Sequence, residues 1–97
     1  LKMDVKQMYL VSYYELGFYE EARSMMDSLI KYLNLNSEVV NIYREGHMNY
    51  ISFYRKLLKL KETPDSEAAG KLRKEILEIK NLANREWLLQ KTEELNG

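Results

Sequence analysis

The sequence contains no cysteine, one proline and only four glycines among its 97 residues. The absence of cysteine excludes disulfide bonds, thiol catalysis and every metal site that uses a cysteine ligand. It is compatible with the cytoplasm, where we expect the protein to be located. The scarcity of proline and glycine leaves little turn chemistry for a protein built from β-sheets.

The sequence also lacks an excess of charge and a long apolar run. Fifteen basic residues balance fifteen acidic ones. A neutral balance argues against general attraction to nucleic acid or anionic lipid, because both attract excess positive charge. No apolar run approaches the roughly 20 residues that cross a bilayer in a helix. We therefore expect no nucleic-acid partner and no membrane insertion.

What is present is typical of a globular domain. Apolar residues make up 45% of the chain and charged residues 31%. This composition and the length predict a single domain over residues 1–97. The sequence begins at Leu1, already within a patterned segment. We interpret it as a fragment of a longer parent protein, whose upstream targeting signals would fall outside it.

The spacing of apolar residues predicts an all-α fold, since a period of 3.6 residues recurs and no period of two is sustained. We expect an antiparallel helical hairpin over 3–36, a long helix over 37–62 and capping helices over 65–96. The first helix is apolar around much of its girth, which is typical of a helix packed on more than one side. Ser37 is the predicted N-cap of the third helix, and Asp65 or Ser66 that of the fourth.

The end of the chain leaves one question open. The apolar phase changes near residue 83, and Asn84 is a candidate cap for a last short helix. The pattern does not decide between two separate helices and one bent helix. In that last segment, Trp87 is the largest apolar side chain, and we expect it to fix the helix to the rest of the domain.

Gly46 lies inside the predicted long helix, where glycine costs about 1 kcal/mol relative to alanine. Two explanations stay open. The favoured one is the close approach of a neighbouring helix, for which a side chain at this position would leave no room. The other is a kink or a break near residues 45–49.

The opening segment, written YYELGFYEEARSMMDSLIKYLNLN, resembles a tetratricopeptide repeat. In that family two antiparallel helices meet at a glycine, which an aromatic, an acidic residue and an alanine follow. The matching positions here, with an aromatic residue of the first helix, are Tyr13, Gly17, Tyr19, Glu21 and Ala22. The resemblance covers about residues 3–36 and implies a right-handed helical array or bundle that binds other proteins.

The whole chain also resembles the C-terminal segment of large uncharacterised bacterial helical-repeat proteins. The motifs that carry this resemblance are a NYISFYRKLLKL stretch on the long helix and a closing REWLLQKTEEL segment. These motifs are structural. The resemblance implies a terminal element of a helical array, and it transfers no catalytic residue.

An aromatic stripe on the long helix is the first candidate partner-binding surface. It consists of Tyr43, His47, Tyr50 and Tyr54. Such a stripe is more often part of a core, but tyrosine also offers rigid contact area with a polar tip, as in a peptide-binding groove. His47 is the sole histidine. It has no histidine or cysteine to join it in a catalytic or metal site, so we expect a packed or rim position.

A basic run follows the stripe and contains Arg55, Lys56, Lys59 and Lys61. Cations near the C-terminus of a helix are favoured by the helix dipole, which is the simpler explanation. The functional alternative is contact with an acidic peptide or RNA, for which Arg55 and Lys59 are the candidate residues.

These observations predict a non-enzymatic helical-repeat domain that mediates protein–protein interaction or caps a larger array. We expect no catalytic residue, no cofactor and no metal site, because no constellation of reactive groups is visible. One alternative is self-association through the apolar first helix, with Met3, Val5 and Met8. A second, weaker alternative is binding of RNA or an acidic ligand by the basic run.

Overall fold

The computed structural model describes residues 3–96. Within this range it contains five α-helices and no strand, which confirms the all-α prediction. The helices are α1 (Met3–Leu16), α2 (Tyr19–Leu35), α3 (Asn41–Glu62), α4 (Ser66–Glu78) and α5 (Arg85–Asn96). The contacts divide the chain into two compact units, Leu1–Val40 and Asn41–Gly97. The expectation of one domain over the whole length stays a prediction.

The first unit is built on the glycine between α1 and α2. Gly17 has a positive φ of 78°. Its amide donates to the Tyr14 carbonyl at 3.3 Å, and the Phe18 amide donates to the Tyr13 carbonyl at 2.8 Å. This pair of bonds is the Schellman motif, in which a left-handed residue satisfies the last carbonyls of a helix. The prediction that Gly17 ends the first helix is confirmed.

The helices α1 and α2 lie against each other. The Lys6 ammonium donates to the Ser28 hydroxyl at 2.8 Å. These two residues lie equally far from Gly17 along the chain, which is the register expected of helices that run in opposite directions. Leu10 from α1 and Ala22 and Leu29 from α2 have no exposed surface. The small Ala22 side chain therefore occupies a fully packed position.

The third helix begins at Asn41, four residues after the predicted N-cap Ser37, so that prediction is wrong. The cause is local. The Asn36 side-chain oxygen accepts a hydrogen bond from the Glu38 amide at 3.1 Å. The main-chain carbonyl of Asn36 accepts one from the Val39 amide at 3.2 Å. These bonds hold the segment in a turn, since an asparagine side chain competes with helical hydrogen bonding.

In the second unit, α4 and α5 pack against each other and both contact α3. Asp65 is the N-cap of α4, because its carboxylate accepts from the Ala68 amide at 3.1 Å. The fourth and fifth helices are separate, which settles the open question. Asn84 precedes α5 with a positive φ of 55°. Arg85 donates to the Ile76 and Lys80 carbonyls and so ties the start of α5 to the end of α4.

Gly46 is buried within an uninterrupted α3. A Cβ atom at this position would lie 2.6 Å from the Asn81 side-chain oxygen. The Gly46 carbonyl also accepts from the Ala83 amide at 3.1 Å. The close approach predicted for Gly46 is thus present. Its source is the segment between α4 and α5 rather than a neighbouring helix, and α3 has neither the kink nor the break of the alternative.

Candidate functional site

The predicted aromatic stripe of α3 turns mostly inward. Tyr43 is 46% exposed, whereas His47 is 4% exposed and Tyr50 and Tyr54 are fully buried. The Tyr43 and His47 rings lie 4.5 Å apart, centroid to centroid. Tyr43 is therefore the one member of the stripe that offers a ring to a partner. The other three residues take the packed positions that an aromatic stripe at helical spacing usually has.

Tyr50 and Tyr54 belong to an aromatic cluster with Trp87 of α5. The Trp87 ring is stacked on Tyr54 at 5.9 Å between centroids and is tilted against Tyr50 at 6.4 Å. The Lys91 ammonium lies 5.9 Å from the centre of the Trp87 ring. This cluster joins α5 to α3, and the expectation that Trp87 fixes the last helix stays a prediction.

The ionisation of the Tyr50 hydroxyl is clearly perturbed. Burial raises the pKa of Tyr50 well above its ordinary value of about 10, and the nearby Asn84 side chain opposes this rise in part. Among the described residues, the hydroxyl makes no hydrogen bond of ordinary geometry. The buried Tyr50 hydroxyl therefore stays protonated at a pH at which a solvated tyrosine loses its proton.

This pKa shift predicts a loss of stability in alkaline solution. In the unfolded chain Tyr50 ionises near pH 10, but the folded chain keeps the proton. Ionisation above about pH 10 therefore stabilises the unfolded chain alone. The free energy of unfolding is unaffected by this group below about pH 10 and falls as the pH rises further. Tyr50→Phe cannot ionise at this position. Between about pH 10 and 11 its free energy of unfolding is therefore expected to fall by about 1 kcal/mol less than that of the unmodified protein. Urea unfolding across that range measures it.

The control for this experiment is Tyr43→Phe, which removes an exposed hydroxyl from the same helix. Its alkaline slope is the reference with which the slope of Tyr50→Phe is compared. Identical alkaline slopes for Tyr50→Phe and the unmodified protein would show that the Tyr50 proton is not held by folding.

The basic run of α3 lies on the surface. Arg55 and Lys59 are exposed. The Lys56 ammonium lies 3.4 Å from a Glu75 carboxylate oxygen on α4 and 5.7 Å from the centre of the Phe53 ring. Two candidate residues from the sequence, Arg55 and Lys59, are thus accessible.

Next to this run, α3 and α4 form a cleft of about 250 Å³. Its lining combines apolar and charged side chains, namely Lys56, Lys59, Leu60, Ala68, Lys71, Leu72 and Glu75. We call it the α3–α4 groove. Of these residues, Lys59 was a candidate from the sequence, whereas Ala68, Lys71 and Leu72 were not. Their shared face could have been read from the helical spacing on α4, but the pairing of α4 with this part of α3 could not.

A second surface lies on α1. Its buried residues are Met3, Lys6, Leu10 and Tyr14. Its large exposed apolar residues are Val5, Met8, Tyr9 and Leu16. We call the exposed set the outer α1 face. Met3 was expected to share this surface, but it is buried, because its position falls on the opposite side of the helix.

Val5, Met8 and Tyr9 of the outer α1 face lie close together, and Leu16 lies on the same side of the helix two turns further on, past the exposed Ser12. Met8 is 68% exposed and Leu16 64%. The Tyr9 ring stacks on Tyr13 with 5.7 Å between centroids. The predicted aromatic residue Tyr13 is half-buried, as is Tyr19 at the start of α2.

The described residues 3–96 hold no group of three or more histidine or acidic side chains placed to bind a metal ion. In the same range, no helix has the length and apolar character needed to cross a membrane.

No protein-family model, no curated protein and no solved structure matches this chain. The resemblance to tetratricopeptide repeats therefore stays a prediction that rests on the residues around Gly17.

Proposed function

We propose that this chain is a non-enzymatic, tetratricopeptide-like helical module that docks onto a neighbouring helix of a helical-repeat scaffold through the outer α1 face. In this role it closes one end of a helical-repeat scaffold. The observation that carries the proposal is the exposed apolar stripe of α1, opposite the buried stripe of the same helix.

The two stripes of α1 differ in what they contact. The buried stripe includes Leu10, which has no exposed surface, and Lys6, whose ammonium reaches Ser28 of α2. The outer face holds Met8 and Leu16, each about two thirds exposed. A helix that is apolar on two sides is typically packed on both, because each apolar stripe gains free energy when it leaves water.

A preceding helix of an array is the occupant that we propose for this face. In helical-repeat proteins each unit contacts its neighbours, and a single unit cannot bury its own apolar face. The glycine turn and the fully buried Ala22 support this choice, since both fall at positions that the tetratricopeptide pattern reserves for a tight turn and a close helix contact.

The test uses Met8→Glu, which places a charge in the middle of the outer α1 face. The proposed preceding helix of the array is supplied as a separate chain, and its affinity is measured by calorimetry. Met8→Glu is expected to weaken binding at least tenfold, about 1.4 kcal/mol, because a buried carboxylate without a partner is costly.

The matched control is Ser52→Glu, which adds the same charge at an exposed position of α3. It is expected to leave the affinity unchanged, and neither variant is expected to change the unfolding curve of the isolated chain. Equal affinities for Met8→Glu and the unmodified chain would contradict the proposal. An isolated chain that dimerises, and loses the dimer with Met8→Glu, would instead assign the face to self-association.

A further inference from the structure

The α3–α4 groove has an apolar floor between two charged rims. The floor consists of Leu60, Ala68 and Leu72, of which Leu72 is 4% exposed and Leu60 9% exposed. The small Ala68 side chain leaves the space between the larger ones. At about 250 Å³ the groove is smaller than the roughly 300–1,000 Å³ of sites that enclose small molecules. Its size suits one or two apolar side chains of a partner.

The rims are predominantly basic. Lys56 and Lys59 come from α3, and Lys71 comes from α4. The single acidic residue of the lining, Glu75, is paired with Lys56. Among the described residues, Lys59 and Lys71 have no ion-pair partner. One uncompensated positive charge therefore stands on each helix that borders the apolar floor.

The helical spacing keeps these features in register along the groove. On α3 the lining residues recur at intervals of three and four positions, and on α4 they do the same over two turns. Side chains at this spacing project to one face of a helix, so the groove runs along both helices. A groove of this form matches the apolar stripe of an amphipathic helix, which is a common mode of peptide recognition.

We propose that the α3–α4 groove binds an acidic amphipathic helix of a partner protein, separately from docking by the outer α1 face. A leucine or phenylalanine of the partner fills the space above Ala68, between Leu60 and Leu72. Carboxylates that flank this anchor pair with Lys59 and Lys71.

Charge complementarity and the apolar floor together select this occupant. A nucleic acid offers phosphates for the two lysines but no large aliphatic side chain for the floor, and Glu75 opposes a phosphate chain. A basic helix would fill the floor but would meet Lys59 and Lys71 with like charge, which suppresses binding.

The probe, called the Glu–Leu peptide, is a synthetic fluorescent peptide of glutamate, leucine and alanine. Its leucines recur at intervals of three and four residues, with glutamates beside them. There are two comparison peptides. In the Lys–Leu peptide every glutamate is replaced by lysine, and in the other every leucine is replaced by serine. Fluorescence anisotropy at low and at physiological salt measures binding. The Glu–Leu peptide is expected to bind, with an affinity that falls as salt rises. The two comparison peptides are expected to bind at least tenfold more weakly.

Two variants of the protein test the site itself. Lys59→Glu/Lys71→Glu reverses both uncompensated charges and is expected to weaken binding of the Glu–Leu peptide at least tenfold. Ala68→Phe fills the floor and is expected to do the same without a change of charge. The matched control is Lys31→Glu/Lys74→Glu, which makes the same change of net charge at exposed positions outside the groove. Circular dichroism melting verifies that each variant is folded.

Three results would overturn the proposal. The first is no binding of the Glu–Leu peptide, or equal binding of the Lys–Leu peptide. The second is an equal loss of affinity in the control variant, which would indicate attraction by overall charge. The third is tighter binding of single-stranded RNA or of anionic phospholipid vesicles with the same dependence on Lys59 and Lys71. If one groove variant unfolds, the other decides, since one changes charge and the other volume.

Discussion

Trp87→Ala is expected to lower the free energy of unfolding by about 3 kcal/mol. The Trp87 ring contacts Tyr54 and Tyr50 and is the main aromatic link between α5 and α3. Because Trp87 is half-buried rather than fully enclosed, the expected loss lies at the lower end of the range for removal of a large aromatic side chain.

Chemical denaturation monitored by circular dichroism measures this loss. Glu86→Ala is the control, because it shortens the exposed neighbouring residue of the same helix. It is expected to change the stability by less than about 0.5 kcal/mol, as is usual for exposed positions. An unfolding curve that Trp87→Ala leaves unchanged would show that α5 is not docked through this ring.

Gly46→Ala is expected to destabilise the protein by about 1–2 kcal/mol, although alanine is the better helix former. The new Cβ would lie 2.6 Å from the Asn81 side-chain oxygen. Asn81 is held by two hydrogen bonds and cannot move away freely. Its side-chain amide donates to the Ile42 carbonyl at 2.6 Å, and its main-chain carbonyl accepts from the Asn49 side-chain amide at 2.8 Å. The collision therefore outweighs the gain in helix propensity.

The effect of Gly46→Ala on stability is expected to change from destabilising to stabilising when Asn81 is replaced by alanine. In an Asn81→Ala background the obstructing oxygen is absent, and Gly46→Ala is expected to stabilise α3 by up to about 1 kcal/mol. Denaturant midpoints of the four proteins in this cycle measure the coupling between residues 46 and 81. A destabilisation of the same size in both backgrounds would show that Asn81 is not the obstacle.

The parts of the fold that local chemistry determines could be predicted from the sequence. Gly17 ends α1 because only its conformation accommodates the two closing hydrogen bonds, and a glycine at such a point is visible in the sequence. Asp65 is an equally local signal for the start of α4. The late start of α3 was missed because the Asn36 turn competes with a plausible cap at Ser37.

The candidate surfaces were harder to predict, because they depend on contacts between distant segments. Periodicity places Tyr43 and Tyr54 on one stripe, but it does not show that Trp87 covers Tyr54 while Tyr43 stays exposed. It likewise indicates a neighbour for Gly46 without identifying the Asn81 segment. The α3–α4 groove needs both helices in register, which spacing along one helix does not reveal.

The most direct measurement of the central claim is the rate of methionine oxidation at the outer α1 face. Met8 is 68% exposed in this chain, and Met26 of α2 is 3% exposed and serves as the internal reference. Peroxide converts an accessible methionine to its sulfoxide, which mass spectrometry locates. We predict rapid oxidation of Met8 in the isolated chain, strong protection of Met8 when the proposed preceding helix is bound, and slow oxidation of Met26 in both states. Oxidation of Met8 at the same rate with and without the proposed preceding helix would contradict the proposal that such a helix covers this face.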